Sequence, residues 1–160
     1  MTLLDKTVED VQDEATYGRF LKHYTGIEPD AYLFVTSWCV YTHAIDDIID
    51  GDNTDPMFIL KTFELAAMLY ANMFYLQHLG ELRPLMVMTS STYMTSVTLE
   101  REPTKELWKT RVADALRQNG NEVILAVIQI LHGVDVRIKA SYELRELAWR
   151  MHHDKEGNPR

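Results

Sequence analysis

Apolar residues recur at three- and four-residue spacings along almost the whole chain, and no stretch alternates apolar and polar residues between Asn-Gly or Asp-Gly turns. That period confines the chain to helices and predicts an all-α fold. Proline and glycine then divide it into segments. A first helix is expected over about 7–24, stopped by Gly26. A second opens at Pro29, where proline suits the first turn, and runs to Asp50 ahead of Gly51. In "TDPM", Asp55 can cap free backbone N–H groups and Pro56 can take the first helical position, so a third helix is predicted from Pro56 up to Gly80. Pro84 is expected to open a fourth that ends near Glu100, and a fifth starts at Pro103 or Thr104. Gly120, about 1 kcal/mol less favourable than Ala inside a helix, marks a break or kink in "QNGNE". Two further helices are expected over 121–132 and about 135–153, with a polar tail from Asp154 that is expected to be disordered. The pattern implies a single helical domain, an orthogonal or up-down bundle of six to seven helices.

A chain of 160 residues that is 46% hydrophobic and 25% charged can bury a sizeable core. Its formal charge of -8 argues against a nucleic-acid partner or an anionic membrane surface, because both select for clustered Lys and Arg. Cys39 is the single cysteine, which excludes a disulfide framework and a Cys-rich zinc site and fits a reducing cytoplasm. The opening "MTLLDKTVEDVQDE" lacks the basic-then-apolar order of an export signal. The longest nearly uncharged run, residues 31–45, is shorter than the ~20 residues of a spanning helix. No membrane association is expected.

Charge is unevenly distributed. Residues 23–60 hold Glu28, Asp30, Asp46, Asp47, Asp50, Asp52 and Asp55 with no Lys or Arg, so this window supplies seven of the eight net negative charges. Five of those acids cluster where the second helix ends. A helix C-terminus carries about half a negative charge and disfavours each nearby anion by roughly 0.3–1 kcal/mol. Asp46 and Asp50, one turn apart, add a few tenths more by mutual repulsion. Local physics therefore calls for a cation at this place. On a helix Asp46 and Asp50 share a face, Asp47 lies three residues before Asp50, and His43 sits a turn before Asp47. Carboxylate oxygens suit Mg2+, Mn2+ or Ca2+, and Mg2+ takes one or two carboxylates and completes its octahedron with water and phosphate oxygens. An EF-hand register fails, because it puts Ile48 and Met57 where oxygen ligands are required.

The segment "DDIID", residues 46–50, resembles the aspartate-rich DDxxD motif of the class I isoprenoid and terpenoid synthases, closest to the squalene and phytoene synthase branch. The resemblance covers about residues 38–52. It implies an all-α, isoprenoid-synthase-like bundle in which Asp46, Asp47 and Asp50 hold Mg2+ (or Mn2+) against a small diphosphate ligand, and an activity of the prenyl-diphosphate-utilising transferase or lyase kind. The family also uses a second metal-binding motif, and this chain has neither a second DDxxD nor an Asn-x-x-x-Ser-x-x-x-Glu pattern. The nearest substitute is "NEVILAVIQILHGVD". There Glu122 and Gln129 share one helix face while Asn121, His132 and Asp135 share another, and with His43 these are the secondary site candidates. A complete synthase pocket normally needs more helices than this, which implies a homodimer or a reduced pocket.

Plainer readings stand beside these. The acidic cluster is also what a solvated helix end looks like, and His43 is also placed to bond Asp47. Met68, Met73, Phe74, Met86, Met88 and Met94 read as core packing, with a prenyl groove as the alternative. Glu143 and Glu146 are spaced for surface pairs with Lys139 and Arg150. They would instead join Asp47 and Asp50 in an all-α nucleotide pyrophosphohydrolase. The remaining class is a non-catalytic helical protein acting by oligomerisation or partner binding.

Overall fold

A computed structural model of the chain describes residues 8–104 and 106–152. It contains α1 (Val8–Thr25), α2 (Pro29–Asp50), α3 (Pro56–Tyr70), α4 (Met73–Gln77), α5 (Leu79–Arg101), α6 (Leu107–Arg117), α7 (Asn121–His132) and α8 (Val134–His152). No strand occurs among the described residues, so the all-α expectation is met by seven longer helices and the five-residue α4. The expected disordered tail from Asp154 lies outside the described residues.

Where punctuation was strong, the elements begin and end as their residues dictate. Pro29 and Pro56 open α2 and α3, and the Asp55 carboxylate accepts the Met57 N–H at 2.9 Å. Gly51 ends α2 at φ 81°, a left-handed conformation that glycine adopts without strain. Gln118–Gly120 form one 3-10 turn between α6 and α7, which is the break expected at Gly120.

Three boundaries differ from expectation, the least of them the start of α6 at Leu107 rather than at Pro103 or Thr104. The predicted third helix is interrupted, because Asn72 accepts the Tyr75 N–H at 3.1 Å and donates to the Asp30 carbonyl at 3.0 Å. Those bonds cap a new helix, α4, and tie it to the start of α2. Pro84 does not open its helix but lies inside α5, which starts at Leu79. One backbone hydrogen bond is lost there, and the proline ring crowds the Gly80 carbonyl.

The core is built around α7, whose Val123, Ile124, Leu125, Val127 and Ile128 are all buried. It packs against α1, α2, α5 and α8, which contribute Phe20, Phe34, Val35, Leu82 and Leu144 to the same cluster. Helix α6 adds nothing to this cluster and rests mainly on α5. The methionine stripe departs from its reading as core. Phe74 and Met86 are buried, but Met68, Met73, Met88 and Met94 are exposed. The solvent-facing side of α3 and the break at Asn72 carry Met68 and Met73 away from the centre, and Met88 and Met94 lie on exposed positions of α5. No described helix is long and apolar enough to cross a membrane.

Candidate functional site

A cavity of about 1070 Å³ lies between α2, α5 and α6, with residues of α1, α7 and α8 completing its lining. That volume is at the upper end of the roughly 300–1,000 Å³ typical of small-molecule sites. Along α2 the lining residues Trp38, Thr42, Ile45 and Ile49 follow one another at three- and four-residue spacing, with Asp46 next to Ile45. The cleft therefore follows one face of α2 for about 16 Å, at 1.5 Å per residue. Tyr17, Trp38 and Trp149 give it aromatic walls, and the acidic end of α2 gives it a polar limit.

At that end the chain supplies its own cation. The Arg117 guanidinium, at the last position of α6, lies 3.6 Å from an Asp46 oxygen and 3.7 Å from an Asp50 oxygen, and bonds Glu100 of α5 at 2.6 Å. The Tyr93 hydroxyl donates to Asp46, and Arg117 sits 5.9 Å from the Tyr93 ring centre. Burial, then the hydrogen bond and charge of Asp46, push the Tyr93 hydroxyl well above its ordinary value near 10. Burial works against the charge on Arg117, but the carboxylates of Asp46 and Glu100 outweigh it and hold the guanidinium more firmly protonated than usual. Arg117 Nε is buried with no hydrogen-bond partner among the described residues, so one donor of this guanidinium is unused.

The remaining candidates are dispersed. Asp47 is exposed and its side chain pairs with no described residue; His43 borders the cleft, is exposed, and makes no hydrogen bond to Asp47. Asn121 lines the cleft. Glu122 instead turns to α8, where Arg145 at 2.5 Å and Arg137 at 3.1 Å hold it. The His132 ring bonds the Tyr24 carbonyl at 2.7 Å, and Gln129 and Asp135 are exposed. Glu122 and His132 thus serve contacts with α8 and α1, and of this group only Asn121 borders the cleft. Glu143 and Glu146 line a separate recess with residues of α1, bordered by none of Asp46, Asp47 or Asp50. Glu146 pairs with Arg150 as its spacing predicts, whereas Glu143 faces Tyr24 rather than Lys139.

Tyr93, Glu100 and Arg117 were not anticipated. Tyr93 meets Asp46 across 47 residues of chain, because α5 faces α2 across the cleft. The one available signal was the demand for a positive charge at the acidic helix end, which an arginine meets as well as a metal. Among the described residues no three His, Cys, Asp or Glu side chains are grouped to hold a metal ion unaided. Comparison with protein-family models, curated proteins and solved structures yields no match to this chain. The synthase resemblance accordingly rests on the acidic motif alone.

Proposed function

We propose that the cleft binds an elongated amphipathic ligand, with an apolar body along α2 and an anionic head at Asp46, Asp50 and Arg117. An isoprenoid diphosphate held with Mg2+ is the class that suits both ends. The observation that carries this reading is that Asp46 and Arg117 line the polar limit of an aromatic-walled cleft, with Asp50 beside the same guanidinium. Two carboxylates are what Mg2+ asks of a protein when water and phosphate oxygens fill its other positions. Asp46 and Asp50 would hold it, and the ion would neutralise the diphosphate. Arg117, which lines the cleft, is suited to a phosphate oxygen, since guanidinium groups recognise phosphate through paired N–H donors. Asp47, turned to solvent, is the least suited of the three motif acids.

Thermal unfolding tests this reading, because a ligand selective for the folded state raises apparent stability by about 2.7 kcal/mol at a hundred times its Kd. For a domain of this size that is a shift of roughly 5–10 °C. A prenyl diphosphate with Mg2+ should raise Tm by this amount in the native chain and leave the double variant Asp46→Asn, Asp50→Asn where it was. No shift in the native chain, or an equal shift in the variant, rejects the reading.

A second reading is a helical protein without ligand or catalysis, acting by oligomerisation or partner binding. It is favoured by Arg117, which already satisfies the electrostatic demand that motivated a metal. It predicts a Tm indifferent to divalent cations and to diphosphates.

A further inference from the structure

Helix α3 carries large apolar residues on every side, yet only Thr62 and Leu69 are buried. Met57, Leu60, Phe63, Met68 and Tyr70 stand 47–69% exposed. A helix that is apolar all round belongs in an interior. At roughly 150 Å² for a large side chain fully exposed, these five offer on the order of 450 Å². That is more than half of the ~800 Å² that each partner contributes to a stable interface, and comparable to the largest apolar patch on a typical monomer.

The charges on α3 indicate what covers it. Lys61 and Glu64 are its only ionised residues, both exposed, and neither pairs with a described residue. At about 100° per residue, Met57, Lys61, Glu64 and Met68 fall on one flank of the outer face, and Leu60, Phe63 and Ala67 on the other. In an antiparallel pair related by a two-fold axis, each flank meets its own copy, and residue positions run in opposite order. An axis beside Phe63 sets Met57 against the partner subunit's Met68, Leu60 against the partner subunit's Ala67, and Lys61 against the partner subunit's Glu64. Every charge then finds an opposite charge, twice by symmetry, and the apolar residues fill the space between. We propose that this face is the contact of an isologous homodimer, with α3 packed antiparallel on α3 of a second copy. No α3 residue lines the cleft, so the dimer leaves the ligand site untouched, and its failure would not touch the ligand reading.

Sedimentation of the full chain between about 1 and 100 μM, a range that brackets a micromolar Kd, tests the pairing. A reversible dimer is expected. Lys61→Glu or Glu64→Lys alone makes two like-charge contacts and weakens the dimer about tenfold. The combined exchange restores opposite charges across the axis and returns Kd to near its original value. Both positions are exposed, so far-ultraviolet circular dichroism should be unchanged in all three variants. A chain that stays monomeric over the whole range overturns the proposal, whether or not it then binds lipid vesicles. A combined exchange no tighter than the single ones overturns the antiparallel register.

Discussion

Helices α3 and α7 are made of the same kind of residue and meet opposite fates. "VILAVI" in α7 is almost wholly buried, while Met57, Leu60, Phe63 and Met68 of α3 look outward. The cause lies in their neighbours. Helix α7 is enclosed by α1, α2, α5 and α8, whereas α3 leans on α2 and the short α4. Hydrophobic content thus makes a helix without deciding what covers it. The end of α2 offers the same lesson in charge, since its surplus acids are answered from within the chain by Arg117 on α6.

The contrast is open to direct attack by mutation. Ile128→Ala on α7 should cost about 2–5 kcal/mol in urea unfolding, the usual result of a cavity in a closed core. A loss below about 0.5 kcal/mol would mean that α7 is not the centre of the fold. Arg117→Ala should cost about 1–3 kcal/mol at neutral pH, because it leaves Asp46, Asp50 and Glu100 facing one another. An unchanged urea midpoint would show that the acidic end of α2 needs no internal cation.

Tyr93→Phe should cost less, about 0.5–1.5 kcal/mol, for one hydrogen bond to Asp46. It carries a pH signature as well. A tyrosine whose folded value is raised keeps its proton while the unfolded chain loses one. The stability it contributes is therefore complete below its ordinary value near 10 and declines as pH rises beyond it. Tyr93→Phe should flatten that alkaline decline in part, since burial also raises Tyr17, Tyr24, Tyr41 and Tyr75. An identical alkaline profile would remove Tyr93 from the cluster. The smallest effect is expected on α3. Leu60→Ala, measured where the chain is monomeric, should change stability by no more than about 0.5 kcal/mol, and a core-sized loss would erase the difference between the two helices.

Local chemistry carried a large part of this structure. Pro29, the Asp55–Pro56 pair, Gly51 and Gly133 mark helix ends through backbone constraints that act within a few residues, and those boundaries could be read directly from the chain. Asn72 was harder, since its capping role depends on the Asp30 carbonyl 42 residues away. The acidic cluster announced a missing positive charge but not its source. Arg117 comes from a helix that contributes nothing to the core cluster, and its approach to α2 is set by how α6 lies on α5. Burial proved least readable, as Met68, Met73 and Met88 have the composition of a core and the exposure of a surface. Cys39 has no disulfide partner and lies 3.5 Å from the Tyr17 hydroxyl, and burial pushes its thiol up to about 11, where it is a poor nucleophile at neutral pH.

In the proposed function the acidic end of α2 and Arg117 receive the head of an amphipathic ligand. Isothermal titration of the full chain with a prenyl diphosphate, with Mg2+ and again with chelator, tests it most directly. The account predicts Mg2+-dependent binding that weakens about a hundredfold or more, near 2.7 kcal/mol, in Asp46→Asn, Asp50→Asn. Heat of binding that is absent in the native chain, or equal in the double variant, would contradict it.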